Sequence, residues 1–89
     1  VGDGNFHLVF LIDPANADEL ALAKKLNKRL VERAIRMEGT CTGEHGIGLG
    51  KQESLRAELG DEVIEVMRDI KRLFDPENLM NPGKVVPAP

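Results

Sequence analysis

The first apolar run of the chain covers Phe6–Ile12, between a Gly-Asp-Gly-Asn turn and the pair Asp13-Pro14. A run of aromatic, aliphatic and β-branched residues bounded by turn residues predicts a β-strand. With a period of two residues, both faces of this strand carry apolar side chains. We therefore expect it to be covered on both sides, packed beneath amphipathic helices.

The next pattern has the spacing of an amphipathic helix. Asn16 and Glu19 have the spacing of a capping box, which predicts a helix from there to about Met37 with Gly39 as its C-terminal cap. Apolar residues three and four positions apart form its stripe: Leu20, Ala23, Leu26, Leu30, Ala34 and Met37.

The second half of the chain alternates glycine-rich and helical patterns. Thr40–Gly50 is predicted to be a loop, because so many glycines destabilise a regular element. A short helix is predicted over Lys51–Leu59. A longer helix is predicted to begin at Asp61 and to end at Asp75-Pro76. Val85–Val86 is expected to form a short edge strand. These elements predict an α+β fold with one main strand and two to three amphipathic helices.

Composition excludes several classes of protein. The chain has 89 residues, a net charge of −3, three Phe and no Trp or Tyr, which argues against nucleic-acid binding. No apolar run reaches the length of a membrane span. A single cysteine, Cys41, rules out an internal disulfide and leaves the redox compartment open, with a cytoplasmic location as the default expectation. No signal peptide is visible. Because the first residue is Val1 rather than Met and a tight Gly-Asp-Gly turn begins at once, we expect a piece of a longer protein.

Three segments carry residues suited to chemistry. His7 follows the first turn, Thr42–Gly48 places Glu44 beside His45 among glycines, and Asn81–Lys84 forms a terminal turn. Each also has a structural interpretation: a hydrogen-bonded histidine, a flexible surface loop and a common turn. The glycine segment follows a helix and lacks the spacing of a phosphate-binding loop, so neither a P-loop nor a dinucleotide fingerprint fits. One cysteine excludes a zinc ribbon.

Imidazole and carboxylate groups together suit Zn²⁺, Mn²⁺ or Fe²⁺. His7, Glu44 and His45 are the plausible ligand set. If residues 44 and 45 are extended, their side chains point in opposite directions. One of them would then face a metal and the other a second reactive partner.

Together, three motifs resemble the C-terminal end of FAD-linked oxidases of the vanillyl-alcohol-oxidase type, in the branch of D-lactate and D-2-hydroxyglutarate dehydrogenases and glycolate oxidase FAD subunits. The motifs are Val-Gly-Asp-Gly-Asn-Phe-His (1–7), Gly-Thr-Cys-Thr-Gly-Glu-His-Gly-Ile-Gly (39–48) and Phe-Asp-Pro-Glu-Asn-Leu-Met-Asn-Pro-Gly-Lys (74–84). The resemblance implies that residues 1–89 are the C-terminal part of a ferredoxin-like α+β cap domain, without the FAD-binding domain.

The resemblance also implies roles for individual residues. His45 matches the proposed active-site base, His7 and Glu44 match metal ligands, and Asn81 and Gly46 belong to segments that approach the flavin. The family's third metal ligand precedes the position of Val1, so we expect this chain alone to bind metal poorly. An asparagine found two residues after the matching histidine in some hydroxyglutarate-type members is valine here.

The resemblance thus implies a flavin-dependent enzyme that oxidises a D-2-hydroxy acid to the 2-oxo acid, with Zn or Mn as the metal. The fragment alone is expected to be inactive and to self-associate through apolar surface that the parent covers. Two alternatives stay open: a non-enzymatic α+β module that binds a partner through its glycine loop, and a metal-binding regulatory module.

Overall fold

The computed structural model describes residues 2–89, which contain three α-helices in the order α1 (Ala17–Arg36), α2 (Gln52–Leu59) and α3 (Asp61–Phe74). The chain divides into two compact units, the first ending at Gly43 and the second beginning at Glu44. No helix of the described residues is both long and apolar enough to cross a membrane.

Helix α1, in the first unit, begins and ends with local caps. The Asn16 side chain accepts from the backbone N–H groups of Asp18 and Glu19 at 3.0 and 3.2 Å, as the sequence predicts. In a capping box, the Glu19 carboxylate would accept from the N–H of Asn16. Here it accepts from Asp13 N–H at 2.7 Å, three residues earlier in the chain. These bonds fix the start of α1 in this sequence.

The C-terminal end of α1 is a Schellman motif. Gly39 N–H donates to Ala34 O at 2.8 Å and Glu38 N–H to Ile35 O at 3.0 Å. The residue in the left-handed region is Glu38, with a φ of 64°, rather than the glycine that follows it. The helix therefore ends one residue earlier than the position of Gly39 predicts.

The second unit is built on the packing of α2 against α3. Ile64 is completely buried, and Leu55 on α2 is buried at 7% exposure. Gly60 connects the two helices with a φ of 82° and a ψ of 162°, a conformation that is almost exclusive to glycine. Both helices were predicted, α2 beginning one residue later than expected.

The predicted α+β fold class is wrong, because residues 2–89 contain helices and no strand. Phe6–Ile12 is irregular backbone, and Leu8, Val9 and Leu11 are 58%, 79% and 96% exposed rather than covered on both faces. A strand needs the backbone hydrogen bonds of a neighbouring strand, and nothing in the described part of the chain supplies them. A ferredoxin-like arrangement with a main strand is therefore not observed.

The predicted edge strand at Val85–Val86 is also wrong. Val85 has a φ of 65°, in the left-handed region, and Val86 N–H donates to Lys84 O at 2.8 Å. These residues form a tight turn instead of extended backbone, because their backbone groups bond to the turn itself and to the glycine loop.

Candidate functional site

In the first unit, the N-terminal turn meets the glycine segment. A Cβ atom on Gly43 would lie 2.1 Å from Asn5 Oδ1, so the close approach of the Asn5 side chain requires glycine at position 43. The first and second sequence motifs therefore touch through Asn5 and Gly43. His7, which is exposed, lies two residues after Asn5 in the same unit.

In the second unit, the Glu44 and His45 side chains contact each other. His45 Nε2 lies 3.1 Å from Glu44 Oε1, and the two side chains are 74% and 54% exposed for His45 and Glu44 respectively. The backbone bends at both residues, so the extended conformation that would direct the side chains oppositely is not adopted. The carboxylate and the imidazole are therefore presented side by side.

The backbone after this pair is open to close approach. Gly46 has a φ of 79°, and a Cβ built on it would meet no atom within 4 Å. A positive φ is readily available to glycine, and the missing Cβ leaves the peptide accessible to a bound molecule. The loop therefore combines two reactive side chains with an accessible backbone.

The contact with Glu44 favours one tautomer of the His45 ring. When Nε2 carries the hydrogen, it donates to the carboxylate and Nδ1 is the nitrogen with the lone pair. An imidazole oriented in this way can accept a proton at Nδ1 while the carboxylate stabilises the imidazolium that forms. The arrangement is therefore suited to general base catalysis.

The terminal turn of the second unit is organised by Asp75, which is buried at 8% exposure. Its carboxylate accepts from Leu79 N–H at 2.9 Å and Met80 N–H at 2.8 Å, and Lys71 Nζ donates both to Asp75 and, at 2.8 Å, to Met80 O. The hydrogen bond from Lys71, followed by those from Leu79 and Met80, lowers the pKa of Asp75 from 3.8 to about 2.

This network determines the shape of the turn that carries Asn81. Asn81 is exposed and has a φ of 47°, and its carbonyl oxygen accepts from Lys84 N–H at 3.2 Å. The sequence indicated Asp75 only as part of a helix-ending pair with Pro76. The four-residue spacing from Lys71 to Asp75 is the signal that could have revealed the ion pair.

The structure thus brings Glu44 and His45 together in the second unit, and Gly46 and Asn81 lie in that unit as well. His7 belongs to the first unit. Cys41 is buried in the first unit.

Comparison with known proteins gives the same family as the sequence motifs. The family model of the C-terminal domain of FAD linked oxidases matches residues 1–85. A probable mitochondrial D-lactate dehydrogenase of Danio rerio is 56% identical over 86 residues, which are 97% of this chain and 17% of that protein. A mitochondrial D-lactate dehydrogenase [cytochrome] of Arabidopsis thaliana is 48% identical over 97% of this chain and 15% of its own length.

A glycolate oxidase subunit, GlcD of Bacillus subtilis, is 42% identical over 94% of this chain and 18% of its own length. The chain therefore spans less than a fifth of the length of these relatives. The match nevertheless covers nearly all of its residues, including the three motifs that carry the candidate site. The chain belongs to the FAD linked oxidases, as part of their C-terminal domain.

Proposed function

We propose that this chain is the C-terminal part of the cap domain of a flavin-dependent dehydrogenase that oxidises a D-2-hydroxy acid such as D-lactate, or its achiral analogue glycolate, to the 2-oxo acid. The observation that carries the proposal is the contact between Glu44 and His45 on an exposed, glycine-flanked loop. Family membership and relatives named D-lactate dehydrogenase and glycolate oxidase support it. A cytoplasmic location remains a prediction.

The residues of the loop fit a redox partner and a small acid. FAD, held by a separate N-terminal domain, would supply the acceptor for the hydride that leaves C2 of the substrate. The accessible backbone at Gly46 and the turn at Asn81 are where this chain would approach the flavin. Gly46 and Asn81 would bind and orient the flavin, while His45 accepts the proton.

In the proposed reaction, His45 accepts the hydroxyl proton of the substrate at Nδ1. Glu44 accepts a hydrogen bond from Nε2–H, which orients the ring and stabilises its protonated form. The charged pair then lies beside the site at which the substrate loses its proton. This assignment gives each side chain of the pair a separate role.

We also propose that His7 and Glu44 are ligands of a divalent metal, Zn²⁺ or Mn²⁺, in the full-length protein. Nitrogen and carboxylate donors suit these ions. His7 and Glu44 are the residues of this sequence that match the metal ligands of the family it resembles. A bound metal would polarise the substrate hydroxyl.

The experiment is substitution of the base in the full-length flavoprotein. We expect His45→Asn to lower kcat for the 2-hydroxy acid by about 100-fold, as for loss of a general base, while the flavin content stays unchanged. Steady-state kinetics with D-lactate and glycolate measure the effect. A decrease of less than threefold would remove His45 from this role.

The metal assignment has a separate test. Glu44→Gln removes a charged ligand, so metal content by elemental analysis should fall together with activity. His45→Asn is the matched control, because the proposal gives that residue no metal bond and its variant should retain the metal. Full metal content in Glu44→Gln would contradict the ligand assignment while leaving the role of His45 to its own test.

The metal-binding module remains as a second candidate, supported by the same exposed carboxylate and imidazole. It predicts a metal-dependent rise in the melting temperature of the chain without any flavin partner. A thermal shift with millimolar Zn²⁺ or Mn²⁺ would favour it, whereas activity dependent on His45 in the flavoprotein favours the dehydrogenase.

A further inference from the structure

Residues 83–89, called the C-terminal tail below, are held by long side chains of α2 and α3. Each of three side chains donates to a different backbone carbonyl of the tail. The bonds are Gln52 Nε2 to Gly83 O at 2.7 Å, Arg56 Nη2 to Ala88 O at 2.6 Å, and Arg68 Nε to Pro87 O at 3.1 Å. The tail is therefore fixed at both ends to the helical pair, and Pro87 is buried.

The middle of the tail has a strained backbone. Val85 has a φ of 65° and is the central residue of a three-residue turn closed by Val86 N–H to Lys84 O at 2.8 Å. A β-branched side chain rarely occupies the left-handed region, since its Cβ crowds the backbone. Such a conformation persists only where the surroundings hold it, and the bonds from Gln52, Arg56 and Arg68 flank this residue on both sides.

The strained turn has a structural consequence for the glycine loop. It directs Val85 N–H to Gly48 O, at 2.8 Å. Gly48 lies three residues after His45 and has a φ of 52°, so its own backbone preferences do little to fix the loop. Next to α2, the N–H of Lys51, the residue that caps the helix at its N-terminus, donates to Ile47 O at 3.2 Å. The tail thus provides a second backbone anchor for the segment that carries the Glu44–His45 pair.

We propose that the C-terminal tail positions the glycine loop, and that Arg56 and Arg68 are positioning residues that act through the bond from Val85 to Gly48. Loss of a guanidinium donor lets the tail leave the helices and lets Val85 relax to an ordinary φ. The Val85 N–H then turns away from Gly48 O, and residues 44–50 sample more conformations. The consequence for catalysis rests on the proposed function, because a misplaced base loses much of its effect.

Arg68→Gln tests the proposal in the full-length flavoprotein, with Arg72→Gln as the matched control. Both arginines lie on α3 and pair with Glu65, but Arg72 bonds to Asp69 and only Arg68 reaches the tail. Hydrogen exchange measured by mass spectrometry follows peptides that cover residues 44–50 and 83–89. We expect at least threefold faster exchange in both segments for Arg68→Gln and no change for Arg72→Gln.

Faster exchange in the tail with unchanged exchange at residues 44–50 would overturn the proposal, because the tail would then move without the loop. Unchanged exchange in both segments would overturn it as well. If Arg68→Gln does not fold, Arg56→Gln removes the donor to Ala88 and should give the same paired increase. Arg68→Lys keeps a donor and should restore part of the protection.

Kinetics provide the second readout. We expect Arg68→Gln to lower kcat about tenfold with KM within twofold, and Arg72→Gln to change neither. A kcat equal to that of the unsubstituted enzyme, despite faster exchange of residues 44–50, would overturn the positioning role. If the unsubstituted flavoprotein oxidises no 2-hydroxy acid, the proposed function fails, while the exchange experiment still decides whether the tail holds the loop.

Discussion

Glu38 ends α1 in a conformation that suits glycine better than glutamate. It is the left-handed residue of the Schellman motif, with a φ of 64°, and its N–H donates to Ile35 O. A left-handed conformation costs about 1–2 kcal/mol for a residue with a Cβ atom, and much less for glycine. The end of α1 therefore stores strain that one substitution can relieve.

We predict that Glu38→Gly raises the free energy of unfolding by about 1 kcal/mol, because it removes the Cβ that crowds the left-handed backbone. Urea unfolding followed by helical circular dichroism measures the change. Glu38→Ala is the control, since it removes the same charge but keeps a Cβ atom. An equal gain in both variants would show that charge, rather than backbone strain, is responsible.

The contact of Asn5 with Gly43 predicts a coupled pair of substitutions. Gly43→Ala places a Cβ at 2.1 Å from Asn5 Oδ1, so the asparagine must move, and we expect a loss of about 1 kcal/mol in stability. In the Asn5→Ala background the same change should be nearly neutral. A double-mutant cycle on the free energy of unfolding checks this, and additive effects would contradict the contact.

At the level of elements, the helices follow from local features that the sequence displays. Asn16 caps α1 through its own side chain, and the apolar residue Ile64 on α3 is buried against its neighbours. Caps, apolar stripes and proline stops act within a few residues, so a sequence pattern can reveal them. This explains why all three helices were predicted within about a residue at their N-termini.

The predicted strand at Phe6–Ile12 could not be tested by local features of the sequence in the same way. A strand forms through hydrogen bonds to a distant segment, and composition gives only the strand propensity of one of the two partners. Likewise, the adjacency of Glu44 and His45 was visible in the sequence, but their mutual contact depends on backbone bends at both residues. The role of Asp75 also escaped, because its partners Leu79 and Met80 offer only backbone groups.

The turn after α3 should depend on pH through Asp75. Its pKa is about 2 in the folded chain, against an ordinary value of 3.8, because Lys71 and two backbone N–H groups bond to the carboxylate. The unfolded chain therefore takes up the proton first as the pH falls. The stabilisation is complete above the ordinary pKa and is lost progressively as the pH falls from there through about 2.

We expect the stability difference between the unsubstituted chain and Asp75→Asn to be largest at pH 5–6 and to shrink as the pH falls toward 2. Urea midpoints across that range provide the measurement. Asp69→Asn is a matched control on α3, because Asp69 is exposed and forms an ion pair with Arg72 at 2.8 Å. A difference that stays constant with pH would contradict the assignment of the depressed pKa to Asp75.

At the scale of the whole chain, apolar side chains lie exposed in two places of the first unit. Val9 and Leu11 are 79% and 96% exposed in the irregular segment Phe6–Ile12. The end of that segment and α1 line an apolar groove of about 260 Å³, with Leu22 and Leu26 on the helix side. Exposed apolar side chains grouped in this way favour association, whereas single exposed apolar residues are ordinary.

We therefore predict that the 89-residue chain self-associates at micromolar concentration, and that Val9→Lys combined with Leu11→Lys shifts it toward monomer. Each lysine places a charge on surface that association would bury. Because burying an unpaired charge is unfavourable, the two lysines oppose association. Sedimentation velocity over a concentration series measures the distribution. Leu49→Lys is the control, because Leu49 is an exposed apolar residue in the second unit, outside this surface. If the control dissociates the chain as strongly as the double variant, the association depends on charge in general and the surface at Phe6–Ile12 has no special part in it.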